Sequence, residues 1–140
     1  MALYLNNQES ITPDIEGRGV RLDVYVENDD SVYDIEMQTT PNLNLPKRSR
    51  YYQGMIDTNV LGGGSRYKEL NKCYIVFFCT FDPFGKNLKR YTFENQCIEL
   101  PGLKLNDDSI KIFFNSKGIT FIVKFNNAIS TRIGNLVAKY

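Results

Sequence analysis

The sequence of 140 residues contains no histidine. That absence removes Ser-His-Asp and Cys-His catalytic triads. Zinc or iron sites held by imidazole go with them. Cysteine is scarce: Cys73, Cys79 and Cys97 are the only three. They form neither a CxxC pair nor a disulfide framework, which points to a reducing, cytoplasmic setting. No apolar run reaches the ~18 residues of a membrane span, and the polar N-terminus lacks a signal-peptide pattern, so no membrane partner is expected. Internal repeats and low-complexity tracts are missing too. The chemistry left to this chain uses carboxylates, Lys, Tyr or a metal bound through oxygen.

What is present reads as one domain over residues 1–140, long enough to bury a real core. The formal net charge of +1 conceals a split. Residues 1–46 sum to −7 and residues 47–140 to +8. A division of this kind suits a polyanion partner, or an acidic cation site beside a basic surface. Charge balancing between two halves of one domain is the alternative.

Local patterning predicts a mixed α/β sheet. Residues 3–5 suggest a short strand. Residues 19–27 alternate, with Leu22, Val24 and Val26 on one side and Arg21, Asp23 and Tyr25 on the other. The cluster Asn28-Asp29-Asp30-Ser31 reads as a turn. Residues 32–38 alternate again, placing Asp34, Glu36 and Gln38 on one face, and the two runs form a β-hairpin. Pro46 suits a helix start, and the spacing of Tyr52, Met55, Ile56, Asn59 and Val60 predicts a helix from Lys47 to about Leu61. Three glycines, Gly62 to Gly64, end it. CYIVFFCTF at 73–81 has the continuous apolar character of a central strand buried on both faces, with Cys73 and Cys79 as core residues. Further strands are expected at 89–95, 109–115 and 119–125, and a short amphipathic helix at 130–140. GGGSRYK at 62–68 lacks the Gly-Lys-Ser/Thr ending of a phosphate loop and reads as a helix cap and connector.

The hairpin carries the candidate chemistry. If it turns at Asp29-Asp30, paired residue numbers sum to 59, and Asp23 falls opposite Glu36. Directly opposed side chains have Cβ atoms roughly 4.5–5.5 Å apart. Two carboxylates at about 5 Å repel by on the order of 3 kcal/mol at an effective dielectric near 20. A divalent cation, or a raised pKa on one partner, resolves that conflict. Mg²⁺ takes one or two protein carboxylates and completes its shell with water and substrate phosphate. Gln38 projects from the same face and can orient a water or a phosphate. The competing reading is a solvent-facing polar side with a shifted turn that keeps the carboxylates apart.

Lys47, Arg48 and Arg50 open the helix, followed by Tyr51 and Tyr52. Cations at a helix start oppose the macrodipole, so local stability does not explain them. Arginine is suited to bidentate phosphate contact, and tyrosine to stacking or hydrogen bonding along a nucleic-acid strand. The competing reading has Tyr52 in the core and the basic side chains solvated.

The segments GVRLDVYVENDDSVYDIEMQ, LPKRSRYYQGMID and CYIVFFCTFDPFGKNLKRYTFEN resemble the PD-(D/E)XK nuclease-fold transposases, the recombination-promoting nucleases, over about residues 17–117. The resemblance implies a restriction-endonuclease-like mixed β-sheet with flanking helices and, here, extra C-terminal strands. It implies a DNA endonuclease dependent on Mg²⁺ or Mn²⁺, linked to transposition or recombination. Asp23 and Glu36 resemble the family's metal ligands. Gln38 stands where the wider superfamily has lysine and joins them as a catalytic candidate. Lys47, Arg48, Arg50 and Tyr52 fall on the helix flanking the site, as candidates for DNA-phosphate contact.

Family members carry a helical segment before the hairpin, which can add an acidic ligand. Here about sixteen residues precede Gly17, and Glu9 is the nearest substitute. The stretch after Gly118 does not look like the family's helical continuation. The expectation is therefore a nuclease domain short of part of its N-terminal helix and of its C-terminal helices. One sheet face would be left bare, and a homodimer would cover it. Beside an active nuclease, two other functions stay open: an inactive remnant that retains DNA binding, and a protein-interaction module.

Overall fold

The computed structural model describes residues 4–7, 10–11, 20–21 and 23–119. Six strands form one mixed sheet in the order β1-β4-β5-β6-β8-β7. They are β1 (Tyr4–Asn7), β4 (Val24–Glu27), β5 (Ser31–Gln38), β6 (Lys72–Cys79), β7 (Arg90–Phe93) and β8 (Ser109–Asn115). Two short strands, β2 (Ser10–Ile11) and β3 (Val20–Arg21), pair separately. Helix α1 (Leu45–Val60) connects β5 to β6, which run parallel, as such a crossover requires. β6 is also parallel to β8, so the run 73–79 has a hydrogen-bonded strand on each side.

The hairpin forms with the expected register. Val24 pairs with Ile35, Tyr25 with Asp34, Val26 with Tyr33 and Glu27 with Val32. Its turn is fastened by Asn28, whose Oδ1 accepts from Ser31 N–H at 2.8 Å and Asp30 N–H at 3.2 Å. The single strand read over 19–27 is instead interrupted: β3 stops at Arg21 and β4 begins at Val24. Side chains take over from the backbone ladder at this break. Asp23 N–H donates to Glu36 Oε1 at 3.0 Å, and Met37 N–H donates to Asp23 Oδ2 at 3.2 Å.

Each face of the sheet carries an apolar layer. On the α1 side, Val32, Ile75, Phe77 and Phe113 meet Leu45, Tyr52, Met55 and Ile56 of the helix. Leu45, Ser49, Tyr52, Gln53 and Ile56 recur at three- and four-residue spacing and are the buried stripe of α1. On the other face, Ile35, Tyr74, Val76 and Ile112 form a second layer, extended by stacked pairs Tyr33–Tyr74 and Phe78–Phe114. Val76 is 0% exposed and Ile112 1%. Around these two, Tyr33, Phe78, Ile110 and Phe114 are half-buried. The alternation of β4 and β5 is consequently a poor guide to solvent, because both of their faces point inward.

The Asp82–Gly85 turn is held by its carboxylate, which accepts from Phe84, Gly85 and Asn87 N–H and from the Tyr91 hydroxyl. Gly85 has φ +67°, where a side chain would be strained. Asp107 and Asp108 lie directly before β8, and Asp108 has φ +55°. The strand read over 119–125 and the helix over 130–140 lie outside the described residues except for Ile119, which is exposed and extends no strand.

Candidate active site

α1 lies across the sheet so that its first turns stand over the C-terminal half of β5. In open α/β sheets the carboxyl ends of parallel strands are where ligands bind. Glu36 and Gln38 sit there, in register with β6 on one side: Glu36 lies beside Phe77, and Gln38 beside Cys79. Continuing the hairpin register by one residue brings Asp23 opposite Glu36, where the backbone bond between them makes the contact direct. The expected juxtaposition is thus realised, but not on a solvated face. Glu36 is 1% exposed.

Burial raises the Glu36 pKa above its ordinary value, and the charge of Asp23 adds to the effect. The Asp23 N–H and the Arg48 guanidinium act in the opposite direction. Arg48 reaches Glu36 from α1. Its Nη2 donates to Glu36 Oε2 at 3.2 Å and its Nη1 to Gln38 Oε1 at 3.0 Å. Its Nε donates to the Tyr52 hydroxyl at 2.9 Å, one helical turn along. The guanidinium also lies over the Tyr52 and Phe77 rings. Every edge of the arginine is therefore engaged with the strand face or the helix that carries it. Gln38 is fixed at both ends of its amide, because its Nε2 donates to the Met37 carbonyl at 2.9 Å.

Lys47, Arg48, Arg50 and Tyr52, the candidates for DNA-phosphate contact, do not share one surface. The structure separates them. Lys47 and Arg50 are exposed on α1. Tyr52 is buried, and burial raises its hydroxyl pKa. Arg48 turns inward to the carboxylates. The positive charge that glutamine lacks at position 38 thus arrives from the helix.

One buried acid went unassigned. Asp34 shares the face of Glu36 and Gln38, two residues before Glu36, and is 0% exposed. Burial, followed by the Glu36 carboxylate, pushes its pKa up to about 9. The signal was legible as the alternation Asp34-x-Glu36-x-Gln38 within an otherwise apolar strand, but alternation alone does not say which face is buried.

A second polar group lies further along α1. Gln53 Nε2 donates to both Asp57 oxygens at 3.0 and 3.1 Å, and Gln53 Oε1 accepts from the Ser109 hydroxyl at 3.1 Å. This network is internally satisfied and ties the helix to β8. Among the described residues, no group of three or more His, Cys, Asp or Glu side chains is arranged as a metal cage. No helix among them is long and apolar enough to cross a membrane.

Residues 1–122 match the family model described as PD-(D/E)XK nuclease family transposase. No curated protein and no solved structure gives a significant match. The mixed sheet with α1 across one face accords with the α/β restriction-endonuclease-like fold of that family.

Proposed function

The chain belongs to the PD-(D/E)XK nuclease family transposases, and from that premise we propose that it hydrolyses DNA phosphodiesters with a bound divalent cation, Mg²⁺ or Mn²⁺, in transposition or recombination. The observation that carries this reading is the Asp23–Glu36 contact at the carboxyl end of β5, with Arg48 bonded to both Glu36 and Gln38.

The donor set suits a hard cation, because every candidate ligand is a carboxylate or amide oxygen. Asp34 accords with the fit, since its buried carboxyl adjoins that of Glu36 and takes no other donor among the described residues. A Mg²⁺ ion that keeps several waters needs only one or two protein carboxylates, so a three-residue cage is unnecessary. Glu36 and Asp23 would hold the ion. When bound, such a cation supplies a lowered water pKa and neutralises charge on phosphoryl oxygens.

The chain's own side chains do the rest. Glu36 is fixed from two sides, by Asp23 N–H and by Arg48, so its carboxylate is pre-set in orientation. Gln38 holds the Arg48 guanidinium beside that carboxylate. A fixed positive charge at this point favours the extra negative charge that a phosphoryl group gains during attack. Arg48 can serve in this way because Tyr52, wedged into the core, supports it from behind. Lys47 and Arg50, both exposed, would meet the DNA backbone outside the reacting group.

Supercoiled plasmid incubated with the full chain tests the reading. Nicking is expected with Mg²⁺ or Mn²⁺ and not with chelator. DNA binding should weaken as salt rises, because phosphate contacts release counterions. Salt-sensitive binding without nicking in either metal would select the inactive-remnant alternative, and absence of both would select a protein-interaction module.

The expected homodimer has a second candidate surface beside the sheet face. The excursion between β7 and β8 exposes Ile98, Leu100, Leu103 and Leu105, an apolar set of the kind that marks association surfaces. Sedimentation equilibrium at micromolar concentration should give twice the chain mass of 16.1 kDa. A single-chain mass would remove the dimer. The cytoplasmic setting rests on the sequence, whose three cysteines form no disulfide framework.

A further inference from the structure

We propose that the loop between β6 and β7, together with the end of β8, is a second contact for the DNA backbone, with Lys86 and Lys117 holding phosphates on the β8 side of the site. This rests on the nuclease reading above and extends the surface on which its DNA lies.

The sheet is charged unequally along its strands. The carboxyl ends of β5, β6 and β8 lead into residues 39–50, 80–89 and 115–118. Those segments hold six bases against one acid, Asp82. The segments at the opposite end of the same strands, 27–31, 57–72 and 106–109, hold seven acids against three bases. Folding thus turns a charge split along the sequence into one between two ends of the sheet. A polyanion is drawn to one end and turned away from the other. Glu36 and Gln38 stand at the attracting end.

Arg48 is engaged with Glu36 and Gln38, and Asp82 with its own turn. Lys47, Arg50, Lys86 and Lys117 are exposed. The first two belong to α1. The loop that carries Lys86 packs on the same sheet face, two strands away. Phe84 stands edge-on to Phe113 at 5.0 Å, Phe113 stacks on Phe77 at 5.2 Å, and Arg48 lies over Phe77 at 5.7 Å. The Phe84 ring is therefore at most about 16 Å from the guanidinium, or four to five base pairs of duplex at about 3.4 Å each. Asn115 ties Lys117 to this loop, because its side chain bonds both the Leu88 carbonyl and the Lys117 N–H.

The loop is braced from within. The Asp82 carboxylate accepts from three loop N–H groups and from the Tyr91 hydroxyl. That hydroxyl in turn accepts from Lys86 N–H at 3.1 Å and Leu88 N–H at 3.2 Å. Gly85 and Asn87, on either side of Lys86, have φ +67° and +58°, so the backbone bends sharply around it. Lys86 is thus an exposed cation on a fixed backbone. Only its side chain has to be ordered on contact, which lowers the entropic cost of binding. The bracing uses the Lys86 N–H and leaves the side chain without a part in it, so packing does not account for a cation here.

The test is fluorescence anisotropy of a short labelled duplex with the full chain, in chelator so that nothing is cleaved, over a series of salt concentrations. Lys86→Ala/Lys117→Ala keeps every backbone bond of the loop. It should weaken binding at least tenfold near about 0.1 M salt and lower the slope of log K against log salt by about 0.9 per lysine. Lys68→Ala/Lys72→Ala removes the same charge from the opposite end of the sheet and should leave both quantities near wild type. Thermal unfolding reports that each variant is folded. Wild-type affinity and slope in the Lys86/Lys117 pair, alongside weakened binding in Lys47→Ala/Arg50→Ala, confines the contact to α1. That result overturns the inference and leaves the nuclease reading intact. Equal losses in the Lys86/Lys117 and Lys68/Lys72 pairs reduce the effect to net charge and overturn it too. A wild-type chain that binds no DNA at any salt removes the nuclease reading and this inference together.

Discussion

Glu36→Gln will reduce cation-dependent plasmid nicking by on the order of 10²–10³, the loss that follows removal of one charge-stabilising group from a reacting centre. The substitution is nearly isosteric. A glutamine carbonyl can still accept the Asp23 N–H, so the interrupted β4 edge should survive. What disappears is the negative charge. The Arg48 guanidinium loses its ionic partner at Glu36 Oε2 but keeps Gln38 and Tyr52. The expected result is a folded protein with a near-normal melting temperature and almost no nicking. The measurement is initial nicking rate beside thermal unfolding of the same preparation. Wild-type rates in the variant would exclude Glu36 from the reaction. Loss of folding instead would assign Glu36 to the scaffold.

The second large effect is on stability. Asp34 has an ordinary pKa of 3.8 and one of about 9 in the folded chain, chiefly because it is buried. Between those values the folded state holds a proton that the unfolded state has released. The unfolded state is therefore favoured progressively as pH rises. In the presence of chelator, stability should be greatest near pH 4 and should fall toward pH 9. The slope from this group is at most about 1.4 kcal/mol per pH unit. Glu36 is shifted in the same direction and adds to the fall. Asp34→Asn carries no such proton, so most of the slope should vanish and the variant should exceed wild type in stability at pH 8. Urea unfolding at pH 5 and pH 8, wild type against variant, reads this directly. Equal slopes in the two proteins would show that Asp34 ionises freely in the folded chain.

Much of this arrangement was legible in the sequence, and for identifiable reasons. The hairpin register follows from one turn: Asn28 accepts from Asp30 and Ser31 N–H, and the register beyond it, continued by one residue, sets Asp23 opposite Glu36. The run 73–79 announced a central strand because a strand paired and covered on both sides has no use for polar residues. α1 was marked by Pro46 at its start and by apolar spacing. What stayed hidden depends on contacts between distant segments. Alternation in β5 separates two faces but gives no account of the helix that closes over one of them, so Asp34 looked like a surface residue. Arg48 looked like one of three similar cations. Only its place on α1, level with Gln38 and above Phe77, turns it inward while Lys47 and Arg50 stay in solvent. The break at Asp23 was invisible for a related reason. It is made by side chains 13 and 14 residues away replacing ladder bonds.

In the proposed reading the inner face of β5 is a divalent-cation site controlled by Glu36 and Arg48. Anomalous diffraction from crystals soaked in Mn²⁺ would locate the ion. The expected result is one anomalous peak bonded to a Glu36 carboxylate oxygen, at roughly the 2.0–2.2 Å of hard-cation coordination, with Arg48 displaced from Oε2 or sharing it. A map without a peak on that face at saturating Mn²⁺, with Arg48 still paired to Glu36 as in the metal-free chain, would contradict it.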